Sequence, residues 1–299
     1  MKRNKLHIVT RSCDPDLYRK SSEFLDDRCV RTAYKDTARF AGSVYWLLDV
    51  FYNLKNRAKW VVSVDEDCFL LNLGEIRHFV NFLDKAGYDY AGIPDGGVVP
   101  CRIKCSLYHG QSFAAYNLES IRAKLPKAKK PISHLTYGPK CNKRIPNHHP
   151  IHGVKPSNWH GVPEELLQTW GPDLLKLAPP VNDFHDNMPE RKDVIEANQE
   201  HKDESWSMIC YWMLRNGLKP YNIKAKHGFI KDEGWDDEDT ASLYMSQRNV
   251  PIAVHAWFGN KIRRQPKFRD AKTRMDKLIR WSKKSVVTGE ALPFQGYGI

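Results

Sequence analysis

Residues 60–71 read WVVSVDEDCFLL and place three consecutive acidic residues between two apolar runs. Residues 60–64 have the composition of a buried strand, and the chain becomes apolar again after Asp67. Carboxylates at the exit of a buried strand are costly unless something binds them. Asp65 and Asp67, at positions i and i+2, can both face one hard divalent cation. Such a cation takes oxygen ligands and keeps coordination positions open for a diphosphate.

Strand and helix patterns alternate through the first 125 residues. The predicted strands are residues 6–10, 60–64, 88–93 and 111–116, and the predicted helices are residues 37–55 and 73–85. This alternation predicts an α/β fold with a mixed, mostly parallel sheet flanked by helices. Ligands of such sheets bind at the carboxyl ends of the strands. The acidic triplet lies at such an end.

Local signals define several helix boundaries. Asn72 predicts the N-cap of the helix over 73–85, and Gly87 predicts its end. The helix over 37–55 carries one apolar stripe at a 3.6-residue period. The members of this stripe are Phe40, Val44, Leu47, Leu48, Phe51 and Leu54. Asn117 is predicted to cap a short helix.

Residues 126–163 show little periodicity and many Lys, Pro, His and Asn residues, which predicts a long irregular insertion, assigned to residues 126–200. The histidines of this region are His148, His149, His152 and His160. A zinc site is one interpretation of these imidazoles. The other is a solvated, acceptor-facing loop, which Pro150 and the absence of matching ligand spacing favour.

The last third of the chain predicts a helix that Asp203 caps and that ends at Asn216-Gly217, with Trp206, Ile209, Cys210, Met213 and Leu214 buried. An acidic loop over 231–240 and a strand over 252–256 follow. Residues 261–284 are basic and predict an exposed helix. A solvated helix face, a nucleic-acid surface and a peripheral membrane contact all fit this run, and Trp281 favours the membrane.

The net charge of +12 favours an anionic partner without choosing among nucleic acid, acidic membrane and phosphate-bearing substrate. Seven cysteines without a CxxC pair argue against a disulfide or zinc framework. The apolar run near the N-terminus is too short for a signal peptide or a membrane span. We therefore expect a cytoplasmic protein, although a chain from which an anchor has been removed would show the same pattern.

The order of strand, Asp-x-Asp and apolar continuation resembles the metal and nucleotide-sugar motif of GT-A fold glycosyltransferases. The resemblance implies that Asp65 and Asp67 hold Mn²⁺ or Mg²⁺ on the diphosphate of a nucleotide sugar. Residues 37–40, TARF, resemble the segment in which retaining members place a basic side chain near the donor, here Arg39. Thr10 and Arg11, at the end of the first strand, stand where the nucleotide usually docks.

Residues 254–261, VHAWFGNK, resemble the late His-x-x-Gly-x-x-Lys segment of the glycogenin-like and bacterial lipopolysaccharide galactosyltransferase families. The resemblance implies that His255 is the third metal ligand and that Gly259 and Lys261 receive the diphosphate. Gly259 comes one residue later than in those families, and no Pro-Trp follows Lys261. The alternative is that His255 is a structural histidine at the end of a strand, hydrogen-bonded within the protein.

Residues 201–205, HKDES, are similar to the His-Asp-Glu-Ser segment of the blood-group and α-1,3-galactosyl transferases. This similarity implies that Glu204 acts at the reacting sugar carbon and that Asp203 orients the acceptor or donor. The alternative is a helix N-cap that favours acidic residues. Residues 109–118, HGQSFAAYNL, look like a strand of the same superfamily, in which His109 would border the donor sugar.

Together these resemblances imply a GT-A domain over residues 1–265 and a basic C-terminal helix and tail over 266–299. Within that domain, 1–125 would bind the nucleotide sugar, 126–200 would be the insertion, and 201–265 would carry the acceptor and catalytic residues. The expected activity is a hexosyltransferase-like transfer from a UDP-sugar to a glycan or glycolipid, with retention of configuration. A metal-dependent phosphohydrolase or nucleotidyltransferase is one alternative. A basic nucleic-acid-binding protein is another, against which the lack of a recognition motif argues.

Overall fold

The strands that the structure describes form two sheets, and most of the described helices carry a buried face. The computed structural model describes residues 6–12, 15–26, 29–35, 47, 50–52, 54, 58–95, 105–125, 207–229, 241–256, 271–288 and 295–296. The predicted insertion over 126–200 and the acidic loop over 231–240 lie outside these residues. Among the helices within them, none combines the length and the apolarity that a membrane span requires.

The first sheet is mixed. Its strands are β1 (Leu6–Ser12), β2 (Cys29–Lys35), β3 (Trp60–Asp65), β5 (Tyr90–Asp95), β6 (Cys105–Asn117) and β7 (Pro220–Asn222), in the order β2-β1-β3-β6-β5-β7. β1 is parallel to both β2 and β3, and β5 is parallel to β7. β6 is antiparallel to both of its neighbours, so the other five strands share one direction. The predicted mostly parallel sheet is confirmed here.

The second sheet is antiparallel throughout the described strands. It contains β4 (Cys68–Leu70), β8 (Lys224–Phe229), β9 (Ala241–Met245), β10 (Pro251–Ala256) and β11 (Gln295–Gly296), in the order β11-β8-β9-β10-β4. The sequence predicted only β10 among these strands. Because β3 belongs to the first sheet and β4 to the second, the chain passes between the sheets at residues 66–67.

The described helices are α1 (Pro15–Ser22), α2 (Leu73–Lys85), α3 (Leu118–Lys124), α4 (Ser207–Arg215) and α5 (Ala271–Thr288). Asn72, Gly87, Asn117 and Gly217 mark helix ends as predicted, whereas α1 was not predicted and α5 ends four residues beyond the predicted 284. Oδ1 of Asn72 accepts from the N–H of Glu75 at 2.9 Å and caps α2. The side chain of Asn117 caps α3 in the same way. Gly87 and Gly217 follow α2 and α4 with φ of 74° and 75°, which glycine adopts without a Cβ penalty.

The helix predicted over 37–55 is described only in part. Leu47, Phe51 and Leu54 are buried, as the stripe predicts, whereas Phe40, Val44 and Leu48 lie outside the described residues. Arg122 of α3 donates from Nε to the carbonyl oxygen of Phe51 at 2.6 Å and from its guanidinium to that of Leu54 at 2.8 Å. The end of this segment is thereby tied to α3.

The C-terminal helix is part of the core. α5 packs its apolar side against the second sheet and α1. The buried residues of α5 in this cluster are Met275, Leu278, Ile279 and Trp281. Trp281 is only 4% exposed, so the expectation that it lies at a membrane is wrong. The predicted exposed helix is exposed only on its outer side.

Gly92 of β5 lies so close to the side chain of His109 on β6 that no other residue fits at position 92. A Cβ placed on Gly92 would lie 2.5 Å from Cβ of His109 on β6. Real Cβ atoms essentially never come this close, and the obstacle is the stem of a buried ring rather than a flexible tip. Only glycine at position 92 therefore lets His109 occupy this place.

We predict that Gly92→Ala lowers the free energy of unfolding by about 1–3 kcal/mol, because the ring of His109 must shift within a packed core. The matched control is Gly74→Ala in α2, where the new Cβ meets its nearest atom at an ordinary 3.4 Å. That variant should be neutral or more stable by up to about 1 kcal/mol, because alanine loses less backbone entropy than glycine in a helix. Denaturant unfolding measures both, and equal stabilities of the two variants would contradict the prediction.

Candidate functional site

The acidic triplet lies where the chain leaves the first sheet. Asp65 is the last residue of β3, and β4 begins at Cys68. In the parallel pairing of β1 with β3, Arg11 is the partner of Asp65. The carboxyl ends of two parallel strands therefore meet at the acids, at the edge of the sheet where ligands of α/β folds bind.

Arg11 is the basic residue that this pairing brings to the triplet. A guanidinium nitrogen of Arg11 lies 3.9 Å from Oδ1 of Asp65, and each side chain is 15% exposed. Thr10, the residue before it, is buried. Arg11 and Thr10 were both predicted to contact a nucleotide. Of the two, Arg11 lies beside Asp65 and has a partly exposed side chain, whereas Thr10 is buried.

Asp67 meets His255, a residue from the other end of the chain. His255 is the partner of Cys68 in the antiparallel pairing of β10 with β4. Its Nε2 lies 3.4 Å from Oδ1 of Asp67, and both side chains are buried. The N–H of Ala256 donates to the carbonyl oxygen of Asp67 at 3.0 Å, which fixes this turn to β10.

The Asp67–His255 pair fits a shared cation. Within the described part of the chain, Oδ1 of Asp67 accepts no hydrogen bond, although it is buried. Two ligands that each lie about 2.1 Å from an octahedral cation are about 3 Å apart when they occupy adjacent positions. The separation of 3.4 Å between Nε2 and Oδ1 is close to that spacing. Carboxylate and imidazole are both ligands that first-row divalent metals accept.

The structure does not assemble all three predicted ligands. In the residues that it describes, no three His, Cys, Asp or Glu side chains are grouped closely enough to hold a metal ion. It brings Asp67 to His255, and it brings Asp65 to Arg11. The shared ligation of one cation by Asp65, Asp67 and His255 stays a prediction.

Ser12 at the end of β1 contacts Glu66 in the turn after β3, and the sequence analysis missed both residues. The hydroxyl of Ser12 donates to Oε2 of Glu66 at 2.6 Å, in a buried position. This contact holds the middle acid of the triplet inward at the end of β1. The register of β1 and β3 explains the contact. Because Arg11 pairs with Asp65, Ser12 and Glu66, the residues that follow them, are neighbours as well.

Tyr244 supports His255 from β9. The two rings are stacked with centroids 6.2 Å apart, and the hydroxyl of Tyr244 is hydrogen-bonded to Ser112 of β6 at 2.7 Å. Burial raises the pKa of Tyr244 far above its usual value, so the phenol stays neutral. This contact joins the two sheets behind His255. Because β9 was not predicted, the sequence offered no signal for it.

Cys68 lies between the acids and the core as a neutral thiol. Burial raises its pKa far above the usual value, and the carboxylates of Asp67 and Asp65 raise it further. A thiol held protonated in this way is a poor nucleophile and a poor metal ligand. Cys68 is therefore a packing residue of the core.

His109 is a core residue and not part of the site. Its Nε2 is hydrogen-bonded to Oδ1 of Asn222 on β7 at 2.9 Å, and its ring packs against Tyr90. Burial lowers the pKa of His109 to about 4, and the hydrogen bond to Asn222 opposes this shift. The expectation that His109 borders a donor sugar is wrong, because the side chain is enclosed within the first sheet.

The remaining predicted site residues lie outside the described residues. They are Arg39, Asp203, Glu204, Gly259 and Lys261, together with the histidines at 148, 149, 152 and 160.

Comparisons with known proteins assign no family. No protein-family model and no curated protein matches the sequence. Among solved structures, the chain is similar to a glycosyltransferase involved in the glycosylation of the major capsid of PBCV-1. The identity is 10%, the TM-score is 0.33, and the match covers 66% of this chain and 99% of that chain.

We predict that the protein loses stability in acid through His109. Its pKa is about 4 in the folded chain and about 6.5 in the unfolded chain, so only the unfolded chain binds the proton between these values. The free energy of unfolding should fall by roughly 3 kcal/mol between pH 6.5 and 4 from this residue alone. His7, whose pKa burial also lowers, adds to the fall.

Denaturant unfolding at a series of pH values measures this dependence. His109→Gln should flatten it, because the side chain whose pKa burial lowers is then absent. A dependence that is equally steep in His109→Gln and in the unaltered protein would contradict the assignment.

Proposed function

We propose that the protein is a metal-dependent glycosyltransferase. It would move a sugar from a nucleoside diphosphate, UDP in the first instance, to a hydroxyl group of a glycan or glycolipid. The observation that carries the proposal is the meeting of Asp67 with His255 directly after the strand end at which Arg11 meets Asp65. These residues come from three strands of two sheets and converge at one turn.

Asp65, Asp67 and His255 are the proposed ligands of Mn²⁺ or Mg²⁺. A divalent cation bound there would neutralise the charge that develops on the leaving nucleoside diphosphate. Oδ1 of Asp67 and Nε2 of His255 are already close enough to bind one ion. Asp65 is the more exposed acid and would complete the set from the side of the first sheet.

Arg11 and Thr10 are the proposed nucleotide contacts. Arg11 combines a permanent positive charge with five N–H donors, which suits phosphate oxygens. When a diphosphate binds, Arg11 can exchange its contact with Asp65, at 3.9 Å, for one with phosphate. Ser12 supports this arrangement indirectly, because its hydrogen bond to Glu66 holds the turn between the two aspartates.

The residues beyond the described part of the chain take their proposed roles from the resemblance. Arg39, Gly259 and Lys261 would bind the donor phosphates. Glu204 would stabilise the oxocarbenium-like transition state or assist the acceptor hydroxyl, and Asp203 would orient a substrate. Transfer with retention of configuration follows from the same resemblance.

We predict that Mn²⁺ and UDP together raise the melting temperature, and that Asp67→Asn and His255→Ala remove this shift. Each loses a ligand, so the affinity for UDP in the presence of Mn²⁺ should fall at least about tenfold, or 1.4 kcal/mol. Thermal shift and calorimetric titration against a panel of nucleotides and nucleotide sugars measure this. Asp84→Asn is the matched control, since Asp84 pairs with Lys59 and Trp60 away from the site.

An unchanged affinity in His255→Ala would remove His255 from the ligand set. The absence of any stabilisation by a nucleotide sugar or nucleoside diphosphate with metal would refute the glycosyltransferase proposal. Phosphate release from nucleotides without sugar transfer would instead favour a phosphohydrolase that uses the same acids.

We predict that Glu204→Gln keeps donor binding and loses transfer. Removing an acid that acts only on the reacting centre should lower kcat by about 10²-fold or more while the affinity for UDP-sugar with Mn²⁺ changes little. Glu119→Gln, which alters an exposed acid in the first turn of α3, is the control. Normal transfer by Glu204→Gln would indicate that Glu204 has only a structural role at the helix N-terminus.

A further inference from the structure

A buried hydrogen bond connects the two halves of the candidate site. The hydroxyls of Tyr244 on β9 and Ser112 on β6 are 2.7 Å apart, and both residues are buried. β6 belongs to the first sheet, which carries Asp65. β9 belongs to the second sheet, in which the neighbouring strand β10 carries His255. The contact therefore crosses from the sheet of one proposed metal ligand to the sheet of another.

Ser112 lies at the end of the first sheet at which Asp65 is found. Val64 of β3 pairs with Phe113 of β6 in antiparallel register. Asp65 follows Val64 and Ser112 precedes Phe113, so the backbones of these two residues are neighbours where the pairing ends. The end of the hydrogen bond that belongs to the first sheet is thus close to Asp65.

Tyr244 lies against His255. In the antiparallel pairing of β9 with β10, Ser242 is the partner of His255 and Tyr244 is the partner of Ala253. Tyr244 is therefore the diagonal neighbour of His255 on one face of the second sheet. The two rings are stacked with their centroids 6.2 Å apart and their planes at 28°. The position of the tyrosine ring consequently limits where the imidazole can lie.

The hydroxyl of Tyr244 fixes the ring more closely than its packing does. The ring also contacts Phe113 of β6, with centroids 6.3 Å apart. Packing between rings is non-directional and tolerates small displacements, whereas a hydrogen bond weakens steeply when its distance or angle changes. Loss of the contact with Ser112 should therefore let the tyrosine ring, and the imidazole stacked on it, move.

The two aspartates of the site act on the same tyrosine. Burial is the main cause of the raised pKa of Tyr244, and the charges of Asp67 and Asp65 raise it further. Both carboxylates therefore lie within electrostatic reach of this side chain. Because the phenol stays neutral, it keeps the proton that a hydrogen bond between two hydroxyls requires.

We propose that Tyr244 and Ser112 are positioning residues of the metal site. Their hydrogen bond fixes the imidazole of His255 relative to Asp65 and thereby sets the affinity of the site for a divalent cation. Both residues act through His255 and not on the cation itself. This inference rests on the proposed function, because it takes Asp65 and His255 as ligands of one ion.

The affinity for Mn²⁺ tests the inference. Tyr244→Phe keeps the ring and removes its hydroxyl, and Ser112→Ala removes the other partner. Each should lower the affinity for Mn²⁺, measured from the EPR signal of the free ion, about tenfold. The double variant should lose little more than either single variant, because both remove the same hydrogen bond. The matched control is Tyr90→Phe, which alters a buried tyrosine at the start of β5 and should keep the affinity.

A measurement on the metal-free protein separates positioning from a general loss of stability. The ring resonances of His255 in histidine-labelled protein report the surroundings of the imidazole, and His255→Ala identifies them. These resonances should shift in Tyr244→Phe and Ser112→Ala and stay in place in Tyr90→Phe. Destabilisation alone would lower the melting temperature without moving the resonances of the folded protein.

Equal affinities for Mn²⁺ in Tyr244→Phe, Ser112→Ala and the unaltered protein would overturn the positioning role and leave the proposed function in place. Unmoved His255 resonances in both variants would overturn it as well, because a fall in affinity would then come from lower stability. If the unaltered protein binds no Mn²⁺, the proposed function fails and the positioning role falls with it.

Discussion

The need to satisfy three acids within one turn governs this structure. The chain passes from the first sheet to the second at residues 66–67, and the carboxylates beside that passage are largely withdrawn from water. Glu66 accepts a hydrogen bond from Ser12, Asp65 faces Arg11 at 3.9 Å, and Asp67 faces His255 at 3.4 Å. Because burying a carboxylate without partners is costly, the turn at residues 66–67 is stable only when both β1, with Arg11 and Ser12, and β10, with His255, are packed against it. The conformation of this turn therefore depends on the assembly of both sheets.

The second sheet is held in position by contacts with α2 and with the first sheet. Arg248, in the turn between β9 and β10, forms two hydrogen bonds with the carboxylate of Glu75 on α2, one of them 3.0 Å long. At the other side, Tyr244 reaches Ser112 of the first sheet. His255 is consequently fixed through its own strand, through the ring stacked on it and through the neighbouring hairpin. Such support is what a precisely placed ligand or acid–base group requires.

The parts of the fold that follow from local signals were predictable, and those that follow from distant pairing were not. α2 agrees with its prediction at both ends, because Asn72, the apolar stripe and Gly87 all act within one segment. The second sheet was missed since β4 is three residues long and pairs with β10 from the far end of the chain. The site shows the same division. Asp65 and Asp67 were evident, and His255 was reached only through a resemblance. Ser12 and Tyr244 depend on registers between strands that the sequence does not display.

Trp281 was predicted to lie at a membrane because of the lysines around it, whereas its helical position indicates burial. A tryptophan among lysines is typical of a membrane interface, yet Trp281 lies three residues after Leu278, which in turn lies three after Met275, on the stripe that faces the second sheet. By the same period Val287 falls on the side of Arg280 and Lys284. The basic run of α5 thus has a buried stripe that completes the core and an outer face that carries charged side chains. Because only the buried stripe contacts the core, a substitution of Val287 on the outer face should leave the core untouched.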